Sequence, residues 1–322
     1  MDGQVVVVAP EGALGRDLVE RLIAQKRPPV VLVDNPSEVL EHLPKVAGSV
    51  RFNGLTTGPW VDAFDGASVV ISLAGAFPRS GEAPHLLEQR RKMAGRLLEE
   101  AVSSVRVAPR VLVGASSLRI LNPDASRGGA RPLDEDAARG TDGAARSVAE
   151  LERGILSARQ WGTRAVVVRM GVVLDRREGV VPILQRRFEA RLGGPVLPRG
   201  GWWPWIHVND AVGLLQLAAD EKRKVEGVLH AVAPIPATSA QLSQALGARL
   251  GRASWLPIPR RLARRRLGDD AVALLTRGSQ VATRAGTLGY LFKHPTIESA
   301  LDAALGAPTR ERASRQVEAH QT

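Results

Sequence analysis

Short apolar runs rich in β-branched residues punctuate the first half of the chain, as in Val5-Val6-Val7-Val8, Val30-Val31-Leu32-Val33 and Val69-Val70-Ile71. Between them, apolar positions recur at helical spacing: Leu14, Leu18, Val19, Leu22 and Ile23, then Met93, Leu97 and Ala101, then Val148, Leu151 and Ile155. A run that is apolar at every position rather than at alternate ones belongs to a strand buried on both faces. Such strands alternating with amphipathic helices predict a parallel sheet covered on both sides. The pattern places strands at 5–8, 30–33, 50–52, 69–73, 111–113 and 165–169.

Beyond residue 170 the rhythm weakens, and Gly/Pro-rich connections appear at Gly193-Gly194-Pro195 and Pro198-Arg199-Gly200-Gly201. A helix near 209–219 and a strand near 228–232 rejoin the sheet, while Leu242, Leu246 and Leu250 suit one further helix and Ile297, Leu301 and Leu305 another. The expected organisation is therefore discontinuous. Residues 1–170 plus about 207–233 are expected to form a Rossmann-type doubly wound sheet. Residues 171–206 plus 234–306 form a small C-terminal α/β substrate lobe, and 307–322, polar and charged, form a flexible tail.

Composition narrows the chemistry. The chain has 322 residues, 44% of them hydrophobic and 24% charged, which is ordinary for a globular protein and excludes a disordered or stapled scaffold. No cysteine occurs, so disulfides, thiolate metal sites and cysteine nucleophiles are excluded; HExxH, P-loop and G-x-S-x-G patterns are also missing, and no metal is expected. Lys and Arg number 44 against 33 Asp and Glu, a net charge of +11. The densest run, Arg260-Arg261-Leu262-Ala263-Arg264-Arg265-Arg266, lacks the interleaved aromatics of single-strand binders and reads as a solvated face, not a nucleic-acid site. With no basic leader before Val5 and no apolar stretch approaching about 18 residues, a cytoplasmic protein without a membrane segment is expected.

The first strand runs into Ala9-Pro10-Glu11-Gly12-Ala13-Leu14-Gly15 and then directly into a helix. Gly12 lets backbone approach a pyrophosphate at the helix N-terminus, and Gly15 lets the helix pack on the strand, so Ala9, Gly12, Ala13, Leu14 and Gly15 are candidate cofactor contacts. Asp34 closes the second strand 19 residues beyond Gly15, followed by Asn35. A carboxylate there accepts hydrogen bonds from ribose hydroxyls and repels a 2′-phosphate, favouring NAD over NADP. Leu73, Ala74 and Gly75, after the fourth strand, supply small residues for the adenine-ribose cleft.

These residues, with Arg169-Met170-Gly171-Val172-Val173-Leu174, Leu192-Gly193-Gly194-Pro195 and above all Trp205-Ile206-His207-Val208-Asn209-Asp210, resemble a known family. It is the NAD-dependent epimerase/dehydratase-like group of the extended or atypical short-chain dehydrogenase/reductase superfamily, including the SulA-like cell-division-inhibitor homologues. The resemblance runs to about residue 305. It adds Met170 and Gly171 to the cofactor contacts and implies redox or isomerisation at a carbinol/carbonyl centre of an unidentified small molecule. Where intact, the family's chemistry uses a Tyr phenol, a Lys four residues later and a Ser or Thr after the fifth strand. Here the one tyrosine is Tyr290, and no lysine lies between Lys92 and Lys222. The Ser position falls on Ser116 or Ser117, with Ser116 taken as the candidate for both catalysis and cofactor contact. His207 is the remaining titrating candidate.

An atypical enzyme running on another acid/base is thus the first expectation, and a catalytically silent dinucleotide- or small-ligand-binding regulator or sensor the second. Tyr290, in an apolar Gly-Tyr-Leu-Phe run, reads as a packing residue. Trp202-Trp203-Pro204-Trp205 holds half of the six tryptophans and either walls a substrate pocket or pins its loop to the small lobe.

Overall fold

The computed structural model describes residues 3–38, 43, 45–79, 81–122, 132–197, 201–275 and 281–306; the expected tail lies outside them. The strands are β1 (Val5–Val8), β2 (Val30–Val33), β3 (Gly48–Arg51), β4 (Val69–Ser72), β5 (Val111–Ser117), β6 (Arg164–Met170), β7 (Val172–Leu174), β8 (Trp202–Trp203), β9 (Trp205–His207), β10 (Gly227–Ala231) and β11 (Ala237–Thr238). Helices are α1 (Ala13–Ala24), α2 (Pro84–Ser104), α3 (Gly143–Ser157), α4 (Val180–Glu189), α5 (Val208–Ala219), α6 (Ser239–Leu250), α7 (Arg260–Leu267), α8 (Asp269–Leu275), α9 (Thr283–Thr287) and α10 (Ile297–Leu305).

Seven strands pair in parallel in the order β10-β6-β5-β4-β1-β2-β3, with helices on both faces, a Rossmann-type doubly wound sheet. The valine run of β1 shows why. Val5 and Val7 pack with Leu18 and Leu22 of α1 and Val212 and Leu215 of α5. Val6 and Val8 point the other way, onto Leu97 and Ala101 of α2 and Leu151 and Ile155 of α3. Because successive side chains face opposite sides, a strand between two helical layers must be apolar throughout.

Two strand expectations shift by two or more residues at one end, and others by a single residue. The third strand spans 48–51 rather than 50–52, since Phe52 leaves the edge to pack edge-on against Trp60, ring centroids 5.0 Å apart. β5 continues through Gly114-Ala115-Ser116-Ser117, all buried, because polar partners inside the fold satisfy hydroxyls that looked like a strand end.

The C-terminal lobe has its own core, in which Val180, Leu184 and Phe188 of α4 meet Trp203, Trp205, Leu242, Leu246, Ile297 and Leu301. Two small ladders lie outside the main sheet, β7 with β9 in parallel and β8 with β11 antiparallel. Their strands are two or three residues long, too short to leave a periodic signal.

Helices α2 and α3 cross at a pair of glycines: a Cβ on Gly154 would stand 2.1 Å from the carbonyl oxygen of Gly95. The two backbones touch, so Gly154→Ala must push the helices apart. We expect it to cost about 1–3 kcal/mol in urea unfolding despite alanine's better helix propensity. Gly286→Ala, where a Cβ meets nothing within 4 Å, serves as the control and should be neutral or stabilising.

Candidate functional site

The sheet register brings the strand ends into one row: Val8 lies beside Leu32 and Ser72, Ser72 beside Gly114, and Ser117 beside Met170. From β1 the chain winds outward through β2 and β3, then returns to the other side of β1 for β4, β5 and β6. The loops after β1 and β4 therefore leave on opposite faces, opening a crevice between them. Ala9 to Gly15 follow β1, Asp34 and Asn35 follow β2, Leu73 to Gly75 follow β4, Ser116 is the penultimate residue of β5, Met170 ends β6 and Gly171 follows it.

The loop after β1 is built tightly. Ala9 takes φ 55°, the left-handed conformation glycine adopts freely, and its N–H donates to the Leu32 carbonyl at 2.8 Å. A Cβ on Gly15 would stand 2.4 Å from Pro10 backbone, so only glycine lets α1 begin this close to the loop. Gly12 is the N-cap of α1 and carries no capping side chain. The first helical N–H, that of Ala13, is donated instead to the carboxylate of Glu178, from the loop after β7. A Cβ on Gly12 would meet only that carboxylate, at 3.1 Å from Oε1. The positive end of α1 thus already holds an anionic oxygen where the fold places a dinucleotide's pyrophosphate, and the cradle fits that group chemically.

At the end of β2, Asp34 is exposed and its N–H donates to Glu11 Oε1 at 3.4 Å, so the Glu11 carboxylate stands against the Asp34 backbone. Asn35 reaches the Glu38 carboxylate through Nδ2, also at 3.4 Å. Leu73 and Ala74 are buried at the end of β4, and Gly75 has φ 77° with its carbonyl accepting from Arg91 Nε at 3.3 Å. Arg91 is fully buried and also pairs with Asp270 of α8, which Arg119 Nε approaches at 3.6 Å. The lobe is thereby tied to the strand ends through two guanidiniums sharing one carboxylate.

Ser116 is engaged by a buried carboxylate. It is fully buried and its hydroxyl donates to Glu152 Oε1 at 2.8 Å. The same carboxylate receives Arg169 Nε at 2.8 Å and Nη2 at 3.0 Å, a bidentate pair with both side chains at most 2% exposed. Losing either partner strands a buried charge, at about 3–5 kcal/mol. Met170 is core, and Gly171 is glycine because a Cβ would stand 2.1 Å from the Pro204 carbonyl.

His207 lies on a separate ladder and caps α5, its Nδ1 accepting the Asn209 N–H at 3.1 Å. Its ring leans on His294 at 4.0 Å, and burial, with the His294 charge second, pulls its pKa down to about 4. The neighbouring Asp210 carboxylate, buried, collects the Tyr290 hydroxyl at 3.1 Å and the N–H groups of Lys293 and His294 at 2.7 and 2.9 Å. Burial and then Asp210 push the Tyr290 phenol up, and its ring fits the gap left by Gly213. The conspicuous Trp-to-Asp block thus locks residues 290–294 onto α5. Trp203 and Trp205 are buried in the lobe core, which decides between the two tryptophan readings in favour of pinning. The arginines of α7 are exposed. Among the described residues no group of His, Asp or Glu is placed to hold a metal, and no helix is long and apolar enough to cross a membrane.

Sequence reasoning gave no site role to Glu178, Glu152 or Arg169. The last two carried a signal: Arg169 interrupts a valine-rich strand, and Glu152 sits inside the apolar stripe Val148, Leu151, Ile155. Two opposite charges in buried positions imply each other. Glu178 carried none.

A doubly wound sheet with a glycine-built anion cradle at its switch point defines a dinucleotide-binding type of fold. The family model of the NAD dependent epimerase/dehydratase family matches residues 5–230, and the chain belongs to that family. The chloroplastic epimerase family protein SDR39U1 homolog of Arabidopsis thaliana is 29% identical over 309 residues, covering 94% of this chain and 86% of that one. Epimerase family protein SDR39U1 of Mus musculus is 41% identical over 140 residues, 43% of this chain and 47% of the relative. The crystal structure of human SDR39U1 (isoform 2) with NADPH superposes with a TM-score of 0.75 at 27% identity, covering 94% of this chain and 98% of the other. A Thermotoga maritima UDP-glucose 4-epimerase with UDP-glucose, 18% identical at a TM-score of 0.74 over 98% and 99% of the two chains, shares the fold.

The histidines set a pH dependence. His207 is lowered from 6.5 to about 4, and His230, buried and then opposed by Arg169, from 6.5 to about 3. The unfolded chain takes up protons first, so stability present above pH 6.5 is lost as pH falls, by up to about 1.4 kcal/mol per unit for each histidine. Urea midpoints between pH 7.5 and 5 should show the decline. His207→Asn keeps a cap on α5 and removes one titration, so its slope should be shallower.

Proposed function

We propose that the chain binds NAD in preference to NADP across the ends of β2, β1 and β4 and acts on a small molecule at a carbinol or carbonyl centre, by redox or isomerisation. The observation that carries this reading is the Ala13 N–H at the head of α1, turned to an anionic oxygen above the open face of Gly12. The NADPH complex of the human relative supports a dinucleotide at the same place. When bound, the nicotinamide supplies a hydride acceptor or donor.

The chain's residues then divide the work. Gly12, Ala13 and Gly15 receive the pyrophosphate, and Leu73, Ala74 and Gly75 line the crevice beside it. Asp34 and Glu11 place two carboxylates where a ribose hydroxyl is an acceptable partner and a 2′-phosphate is not. This combination favours NAD even though the relative's complex contains NADPH. Ser116, donated to Glu152, holds the β5–β6 end in shape rather than touching the reacting atoms. Proton handling does not fall to Tyr290, whose hydroxyl is engaged by Asp210.

Titration with NADH and NADPH tests the reading. NADH should bind about ten-fold or more tightly than NADPH, and Asp34→Ala should narrow that gap. Equal affinities in the wild-type protein would remove Asp34 from ribose recognition. Gly12→Val should abolish binding of both by filling the pyrophosphate's approach.

A further inference from the structure

We propose that Glu178 is a built-in competitor for the dinucleotide's pyrophosphate and sets the affinity of the crevice for phosphate-bearing ligands, an inference that rests on the dinucleotide reading above. The Ala13 N–H has one position for an anion, and the Glu178 carboxylate occupies it. The same carboxylate lies over Gly12, filling the space the missing side chain leaves open. A pyrophosphate and this carboxylate cannot both be there, since they would share one donor and repel each other.

The loop presenting Glu178 is held in place. Asp175, buried at its base, accepts from the Arg177 backbone N–H at 2.6 Å and from Arg177 Nη2 at 2.9 Å. Burial works against the Asp175 carboxylate, yet its bonds to Arg177 keep it below the usual carboxylate range. Arg177 also reaches Asp17 on α1 at 2.5 Å, and a bridge between Leu174 and Gly179 closes the loop behind it. The backbone is thus fastened to α1, whereas the Glu178 side chain itself is 47% exposed. Its other partner, Arg16, stands 3.6 Å from Oε2 and is 39% exposed, an ion pair of the weak, solvated kind. Rotation of one side chain therefore clears the cradle, and it frees Arg16 for the incoming phosphate. Two further carboxylates, Glu11 and Asp34, stand on the adenosine side, so the occupied crevice disfavours anions until Glu178 withdraws.

The test compares wild-type protein with Glu178→Gln, which keeps the shape and removes the charge, and with Glu178→Ala, which removes the acceptor. Binding of NADH, ADP and adenosine is measured by calorimetry, and the Ala13 amide resonance is followed by NMR without ligand. Both variants should bind NADH and ADP about ten-fold or more tightly than wild type, with adenosine unchanged because it brings no phosphate to compete. The Ala13 amide should shift in both variants. Equal NADH and ADP affinities in wild type and variants would overturn the proposal and leave the dinucleotide reading intact. A gain shared by adenosine would overturn it too, showing that Glu178 acts on the shape of the crevice. Failure of all three proteins to bind NADH or ADP would overturn the dinucleotide reading and the proposal with it. Unfolding midpoints of the variants, expected to match wild type, exclude a loss of fold.

Discussion

A parallel strand buried on both faces has nowhere to carry polar function except at its ends, and this constraint organises the whole molecule. Val5 to Val8 face helices on either side, as do the middle strands β4, β5 and β6. Main-chain pairing satisfies the strand backbones, and the helices satisfy their own, up to the first N–H groups of each helix. Those unpaired amides and the loops beside them are where the fold can hold an anion. The sheet order places one such helix start, that of α1, next to the gap between β1 and β4.

Charge enters the interior only where it is answered. Arg169 and Glu152 meet at the end of β5 and β6 and take Ser116 with them. Arg91 enters beneath Gly75 and is met by Asp270 from the lobe. Asp210 gathers the hydroxyl and two backbone amides of the 290–294 segment. Each cluster joins separate elements of the fold. The chain belongs to the NAD dependent epimerase/dehydratase family, and the human relative of the same fold is solved with NADPH. Two hydroxyls are tied into these clusters, that of Ser116 to the buried Glu152 carboxylate and that of Tyr290 to Asp210.

The lobe follows a different logic. Its strands are short, and its core is assembled from helices and two tryptophans, Trp203 and Trp205, that anchor the loop leading back to the sheet. Gly171, Gly194 and Gly201 each allow backbones to approach where a Cβ would stand within 2.6 Å of a carbonyl oxygen. Close backbone crossings join the helical stripes of Leu242 and Leu246 and of Ile297 and Leu301 in holding this half together.

The sequence alone determined whatever depends on local periodicity and spacing. Uninterrupted valine runs separated by helical stripes specify a doubly covered parallel sheet, and the Gly12 and Gly15 spacing specifies the turn into α1, because both follow from neighbours a few residues apart. The family resemblance reached further, through the Trp205 to Asp210 block, in which His207 caps α5 and Asp210 holds residues 293 and 294. Tertiary structure alone decided what fills the cradle. Glu178 stands 165 residues from Ala13 in the chain and beside it in the fold. It also decided that Ser116 turns inward to Glu152, since a strand's pleat tells which residues share a face but not which charged partner waits there. Hydrogen bonds and ion pairs between remote elements depend on ångström-scale placement, and only the folded chain sets that.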